Sequence, residues 1–159
     1  MIVAIGADWV GYDHKKEIIA FIEELGHKTI DFGGSSAESN DYPDFAEKVG
    51  LSVVSGQADL GILICGTGIG MSIAANKILG VRAALCHDAF TTARSRGHND
   101  ANVLALGAWV VSIPHAKELV EIWLASGYEG GRHSSRLDKI VLLESRHAVD
   151  SEKKSPAIE

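Results

Sequence analysis

Hydrophobic and polar positions follow two alternating periods along the chain. Short apolar runs rich in β-branched residues recur, and each is followed by a longer stretch in which apolar residues lie three and four positions apart. The short runs predict strands at residues 2–6, 28–33, 60–65, 81–86 and 101–107. The longer stretches predict helices at residues 14–26, 42–56, 70–78, 89–97, 114–127 and about 134–148.

The alternation of strands and helices indicates a parallel sheet with helices on both faces. We therefore predict a Rossmann-like three-layer α/β/α sandwich with a parallel sheet of about five strands. The run "LGILIC" at 60–65 is almost continuously apolar, as is typical of a strand covered on both faces. With no repeat or linker in the pattern, we expect a single domain over residues 1–148 and a charged tail at 149–159.

Composition narrows the class of protein. The 159 residues are 46% hydrophobic and 23% charged, which is typical of a globular domain, and no apolar run approaches the roughly 20 residues of a membrane span. The N-terminus lacks a basic segment before its apolar residues, so we expect no signal peptide and a cytoplasmic protein. A net charge of −6 argues against non-specific nucleic-acid binding, although local arginines could still bind an anionic small molecule.

Polar residues follow three of the predicted strands. Asp8 comes after the first strand, Cys65 ends the third, and His87 and Asp88 follow the fourth. In open α/β sheets, ligands bind outside the carboxyl ends of the strands. The sequence therefore predicts a functional site at this edge of the sheet.

The loop "CGTGIG" at residues 65–70 is the strongest candidate for ligand binding. It matches neither the dinucleotide fingerprint nor the Walker A motif. Its glycines let ligand oxygens approach the backbone, and the helix that follows presents unpaired N–H donors. Either a phosphate or a developing enediolate could be held there, and a tight turn without a ligand is the structural alternative.

The two cysteines are interpreted differently. Cys65 directly precedes the start of a helix, where the backbone stabilises a thiolate and makes a thiol a usable base or nucleophile. Cys86 also ends an apolar strand but has no glycine loop after it, so we expect a core residue. The pair does not suggest a disulfide scaffold.

The stretch "SRGHNDANV" at residues 95–103 concentrates further polar residues. His98 and Asn99 lie where a predicted helix leads into the fifth strand, which is the opposite edge of the sheet from Cys65. If His98 is catalytic, we expect it to act in a neighbouring subunit's pocket, which would make the protein an obligate homo-oligomer. Arg132 and Arg136 lie four residues apart and suit either a phosphate or a solvated surface.

Four longer motifs resemble one known family. "ICGTGIGMSIAANK", "SRGHNDANVLALG", "YPDFAEKV" and "YEGGRHSSRLDKI" are similar to the ribose-5-phosphate isomerase type B family, which includes the galactose-6-phosphate isomerase subunits. The resemblance covers about residues 1–145. It implies aldose–ketose interconversion of a sugar phosphate through a cis-enediolate, with no metal and no redox cofactor. It also implies a dimer or tetramer with sites across a subunit interface.

The resemblance implies a role for each matching residue. Cys65 takes the position of the base that moves a proton between C1 and C2, Thr67 hydrogen-bonds near that proton, and His98 opens the sugar ring. The enediolate oxygens are bound by the loop residues Gly66, Gly68, Ile69 and Gly70. The remaining substrate contacts come from Asp8 for the sugar hydroxyls, Asn99 for the substrate, and Arg132 and Arg136 for the phosphate.

Two positions depart from the family pattern. Trp9 stands where many members have a histidine that touches the phosphate end, and Trp109 stands where an arginine is common. We expect both tryptophans to contact substrate. An indole offers only one N–H donor, so we expect weaker phosphate binding or a shifted sugar specificity.

The leading hypothesis is therefore an isomerase of ribose 5-phosphate and ribulose 5-phosphate. The runner-up within the class is an isomerase of a six-carbon sugar phosphate, of the allose- or galactose-6-phosphate type. A nucleotide-phosphate-binding module is the alternative from another class, but it would need neither Cys65 nor the His98–Asn99 pair. A thiol-dependent acyl transferase, with Cys65 as nucleophile and His98 as base, would need an acyl-donor site that nothing in the sequence marks. We expect no nucleic-acid or membrane partner.

Overall fold

The computed structural model describes the backbone of residues 1–34 and 41–152, and the side chains of 1–34 and 41–146. Two compact units divide the chain, one over Met1–Tyr128 and one from Glu129 onward. The single domain over residues 1–148 stays a prediction. Within the described ranges, no helix is long and apolar enough to cross a membrane.

The first unit is built on a parallel sheet of five strands in the order β2-β1-β3-β5-β4. The strands are β1 (Ile2–Ala7), β2 (Lys28–Asp31), β3 (Leu60–Cys65), β4 (Ala83–Leu85) and β5 (Val103–Gly107). In the register, Ile5 lies beside Ile62 and Cys65 lies beside Gly107. The predicted parallel α/β fold is confirmed.

Helices cover both faces of this sheet. The first unit contains α1 (Tyr12–Glu24), α2 (Tyr42–Val54), α3 (Ile69–Ala75), α4 (Ala89–Asn99) and α5 (Ile113–Ala125). Helices α1 and α5 pack together on one face with α4 beside α5, and α2 packs with α3 on the other. The second unit has a 3-10 turn (Gly131–His133) that leads into α6 (Ser134–Glu152).

Alternation of side chains along the strands divides the core into two layers. Ile62 and Ile64 of β3 join the cluster under α1 and α5, which also contains the fully buried Trp123. Leu63 and Cys65 point to the opposite cluster, under α2 and α3. Every residue of β3 is buried, which explains why its sequence is apolar without interruption.

Most elements of the first unit begin or end one to three residues away from the predicted positions, as β4 and α4 illustrate. Strand β4 begins at Ala83 rather than at residue 81, because the Val81 N–H donates to the Ile78 carbonyl at 3.1 Å and the Arg82 N–H donates to Asn102 Oδ1 at 2.7 Å, and neither donates to a neighbouring strand. Helix α4 continues past residue 97 to Asn99, which places His98 in its last turn.

The last helix also differs from its predicted extent. It runs to Glu152 instead of ending near residue 148. The remainder of the predicted tail, residues 153–159, lies outside the described residues.

Candidate active site

The crevice between the carboxyl ends of β1 and β3 is the topological switch point of the sheet. From β1 the chain passes to β2 on one side, and then to β3 on the other. Asp8 follows β1 directly, Cys65 ends β3, and the Asp8 N–H donates to the Ile64 carbonyl at 3.2 Å. Ligands bind at such a point in open α/β sheets, so Asp8 and Cys65 occupy the expected place for a site.

The Cys65 thiol is held by the glycine loop. Its Sγ accepts a hydrogen bond from the backbone N–H of Gly68 at 3.2 Å, and the residue is only 6% exposed. This hydrogen bond fixes the position of the sulfur against the loop that follows it. Gly68 can present this N–H because it adopts a left-handed conformation with φ 76°.

Close packing also requires glycine at position 68. A Cβ there would lie 2.9 Å from the Leu106 carbonyl carbon and 2.5 Å from Leu85 Cδ1. The preceding loop residue, Thr67, accepts the Ile69 N–H on Oγ1 at 3.3 Å, which leaves its hydroxyl hydrogen to donate elsewhere. The loop conformation is therefore fixed by its neighbours.

Two aromatic rings border the glycine loop. A Cβ on Gly66 would lie 2.7 Å from two carbons of the Trp109 indole, and one on Gly70 would lie 2.7 Å from the Tyr42 ring. The Trp109 N–H of the backbone also donates to the Gly66 carbonyl at 2.9 Å. Trp109 is 73% exposed and Trp9 is 57% exposed, so both indoles present apolar surface to solvent.

The Tyr42 contact could not be found from the sequence. Tyr42 precedes Pro43 at the start of α2, and that pattern indicates a helix start rather than a partner for Gly70. The pairing depends on how α2 and α3 pack, which no local spacing reveals.

The Asp8 carboxylate is bound by the backbone that follows it. Oδ1 accepts the N–H groups of Val10 and Gly11, both at 3.0 Å. Burial raises the pKa of the Asp8 carboxyl above its ordinary value, and the two backbone hydrogen bonds partly offset that rise. Gly11 is required there because a Cβ would lie 2.6 Å from the Ile64 carbonyl oxygen.

The polar residues after β4 serve a structural purpose. Asp88 caps α4, with Oδ1 accepting the Thr91 N–H at 2.8 Å, and hydrogen bonds from Thr91 lower the pKa of its carboxyl. Cys86 is buried, and burial raises the pKa of its thiol, which suits an unreactive core residue. The carbonyl of His87 lies 3.1 Å from Nε2 of His115.

The structure does not bring His98 and Asn99 to Cys65 within one chain. They occupy the last turn of α4, which ends before β5 begins, whereas Cys65 ends β3. The two edges are separated by the length of the strands, on the order of 15 Å for five residues of parallel sheet. Arg94, one turn earlier in α4, places Nη1 3.3 Å from Nε2 of His98.

Arg132 and Arg136 are close together in the second unit. Arg132 lies in the 3-10 turn and Arg136 in the first turn of α6, and Nη1 of Arg136 donates to the Arg132 carbonyl at 2.9 Å. Both residues are exposed. The 3-10 turn and the first turn of α6 therefore place the two arginines on consecutive turns.

A thiol and a glycine loop therefore lie together at the switch point of a parallel α/β sheet, where ligands bind in folds of this class. The sequence model of the ribose/galactose isomerase family matches residues 3–140. The chain belongs to the ribose/galactose isomerase family, which confirms the resemblance found in the motifs.

Named relatives cover almost the whole chain. Ribose-5-phosphate isomerase B of Escherichia coli (strain K12) is 49% identical over 144 residues, covering 91% of this chain and 97% of the relative. D-erythrulose-4-phosphate isomerase of Pectobacterium atrosepticum is 41% identical over 139 residues, covering 87% and 91%.

Solved structures agree in fold. Ribose-5-phosphate isomerase B of Clostridium thermocellum superimposes with a TM-score of 0.91 at 49% identity, covering 92% of this chain and 99% of the other. The Mycoplasma genitalium ribose-5-phosphate isomerase B with bound ribulose-5-phosphate gives a TM-score of 0.85 at 40% identity, covering 91% and 96%. The comparison of structures and the family sequence model therefore point to the same family over nearly the whole chain.

Proposed function

We propose that this protein interconverts ribose 5-phosphate and ribulose 5-phosphate, with Cys65 as the base. The relatives named for this reaction support the substrate class. The observation that carries the proposal is the Cys65 Sγ at the switch point, with the Gly68 N–H donated to it at 3.2 Å. Proton abstraction next to a carbonyl requires a base beside the reacting carbon and donors beside the developing oxyanion, and Cys65 and the glycine loop would supply both.

The proposed reaction moves two protons. Cys65 takes the C2 proton of the open-chain aldose, the electron pair of that C–H bond forms the C1–C2 double bond, and the π pair of the C1 carbonyl moves onto O1 to give a cis-enediolate. The same sulfur returns the proton to C1 while the O2 proton passes to O1, which leaves the ketone at C2. No metal or redox cofactor is needed, because the base and the oxyanion donors belong to the chain.

The glycine loop would stabilise the enediolate. The backbone N–H groups of Gly66, Thr67 and Gly70 lie next to the sulfur in sequence, while those of Gly68 and Ile69 donate to Cys65 Sγ and Thr67 Oγ1. The Thr67 hydroxyl keeps its hydrogen available. Donors held in place before the reaction stabilise charge as it develops, without reorganisation during the step. Asp8 would hold sugar hydroxyls, and Trp9 and Trp109 would line the pocket.

Ring opening would come from a second copy of the chain. His98 and Asn99 lie at the opposite edge of the sheet from Cys65, so one chain cannot apply both to one small sugar. We therefore propose a homo-oligomer in which His98 of one subunit opens the sugar bound beside Cys65 of another. Mixing inactive Cys65→Ala and His98→Ala subunits tests this, since a hybrid dimer holds one intact site.

Phosphate binding is assigned to Arg132 and Arg136. Their guanidinium groups lie on consecutive turns and present the forked donors that phosphate oxygens accept. Trp9 and Trp109 carry no charge, so these arginines would supply most of the phosphate attraction. An enzyme that turned over free and phosphorylated sugars equally would contradict the assignment.

A panel of sugar phosphates tests the function. It pairs ribose 5-phosphate with allose 6-phosphate, galactose 6-phosphate and erythrose 4-phosphate, each beside its unphosphorylated sugar. Erythrose 4-phosphate belongs there because the Pectobacterium relative is named for its ketose. We expect the highest kcat/KM with ribose 5-phosphate. Higher activity on a six-carbon phosphate would move the assignment to that sugar, and no activity on any of them would refute it.

A further inference from the structure

The end of helix α4 is held by a cluster of three charged side chains, which we call the Asp100 clamp: Arg82, Arg96 and Asp100. Asp100 Oδ2 accepts from Arg82 Nη2 and Oδ1 accepts from Arg96 Nη1, both at 2.9 Å. Asp100 has φ 44°, and among the described residues it is the only non-glycine residue with positive φ. Aspartate tolerates this conformation better than most residues, but at a cost in strain.

The same arginines bind the backbone after His98. Arg82 Nε donates to the carbonyls of Asn99 and Asp100 at 3.2 and 2.9 Å, and Arg96 Nη1 donates to the Ala101 carbonyl at 2.8 Å. The Asn99 carbonyl is one that the helix end leaves without an intrahelical partner, and the other two belong to the residues that follow the helix. Three consecutive residues are thus fixed by two guanidinium groups.

The clamp rests on fixed parts of the first unit. The Arg82 N–H donates to Asn102 Oδ1 at 2.7 Å, and Asn102 Nδ2 donates to the Gly80 carbonyl at 2.8 Å, just before β4 and β5 begin. On the other side, the Arg96 guanidinium lies 5.8 Å from the centre of the Trp123 ring in the core. The α4 end is therefore tied to both the sheet edge and the buried core.

We propose that Asp100 is a positioning residue for the ring-opening step, acting through His98 in the turn that it closes. The inference rests on the proposed function of His98. Helix ends fray, and a misplacement of about 1 Å can cost on the order of 100-fold in rate. A strained aspartate that binds two arginines next to the presented histidine keeps that turn from fraying.

Comparing a substrate that forms a ring with one that cannot distinguishes a role in ring opening from a general effect on folding. Ribose 5-phosphate closes to a furanose through its C4 hydroxyl, whereas erythrose 4-phosphate carries its phosphate on that oxygen and stays open. Only the first needs ring opening, while both need the Cys65 proton transfer. Asp100→Gly keeps the positive φ and removes the carboxylate, and Asp100→Asn keeps one acceptor oxygen and the tolerance for that conformation.

For Asp100→Gly we expect kcat/KM on ribose 5-phosphate to fall about tenfold or more, with about threefold or less on erythrose 4-phosphate. The kcat/KM of Asp100→Asn on ribose 5-phosphate should lie between those of wild type and Asp100→Gly. If the glycine variant folds poorly, Asp100→Asn carries the same test. The control is Glu17→Gln, which removes the 2.8 Å ion pair with Lys117 between α1 and α5. Glu17→Gln should leave kcat/KM on each of the two substrates within about twofold of wild type, because exposed ion pairs contribute little to stability.

Equal losses on the two substrates, or no loss on ribose 5-phosphate, would overturn the positioning role. If wild type does not use erythrose 4-phosphate, deuterium uptake from solvent at C1 of ribulose 5-phosphate replaces it, because that ketose is also open-chain. Uptake that falls as much as net conversion would then overturn the role. A wild-type protein with no isomerase activity would instead refute the proposed function.

Discussion

Replacing Gly68 with alanine is the sharpest perturbation of the loop that holds Cys65. At φ 76° an alanine is strained by about 1–2 kcal/mol. Its Cβ would also lie 2.5 Å from Leu85 Cδ1 and 2.9 Å from the Leu106 carbonyl carbon, and overpacking of this kind costs about 1–3 kcal/mol more. We therefore expect the free energy of unfolding to fall by about 2–5 kcal/mol.

Gly56 provides a matched control because its φ is 77° and nothing lies within 4 Å of a Cβ built there. Gly56→Ala should cost only the strain of about 1–2 kcal/mol and leave activity unchanged. Urea unfolding gives both losses, and kcat/KM is measured at equal concentrations of folded protein. In Gly68→Ala the N–H donor moves off the Cys65 sulfur, so kcat/KM should fall as well. If the two variants lose equal stability and both stay fully active, the loop geometry described above is wrong.

Three further predictions concern substrate contacts. Burial raises the pKa of Asp8, so its ionised form lowers stability at neutral pH, and this loss disappears as the pH falls below the ordinary value of 3.8. At neutral pH the Asp8→Asn variant should therefore have a higher urea midpoint of unfolding than wild type, and below pH 3.8 the two midpoints should be equal. Its KM should rise. An unchanged urea midpoint at neutral pH would contradict this. Arg132→Ala and Arg136→Ala should each raise KM about tenfold or more with a smaller change in kcat, and an unchanged KM would remove them from the phosphate site. Trp9→His and Trp109→Arg should lower KM for ribose 5-phosphate, whereas lost activity would indicate a pocket shaped for another sugar.

The fold could be predicted because its signals are local. Continuous apolar runs such as β3 and the alternation with amphipathic helices determine a parallel α/β sheet without any knowledge of contacts. The end of α4 could not be placed in the same way. Gly97 favours a helix end there, but the left-handed position belongs to Asp100, which is held by Arg82 from a distant part of the chain.

The candidate site follows the same division. Asp8, Cys65 and the glycine loop were predictable because strand ends and glycines are visible in the sequence. The stacking of Trp109 over Gly66 was not, because it depends on β5 lying next to β3 in the sheet order. The sequence therefore reveals the polar candidate residues more readily than the residues that pack around them.

The central claim is that the Cys65 sulfur moves the proton, and Cys65→Ala tests it most directly. The measurement is the initial rate of interconversion of ribose 5-phosphate and ribulose 5-phosphate by folded Cys65→Ala protein, with Cys86→Ala as the matched control. Removing a general base costs about 100- to 10,000-fold, so we expect Cys65→Ala to lose at least that lower factor while Cys86→Ala stays near wild type. A Cys65→Ala protein with near-normal turnover would show that another group is the base.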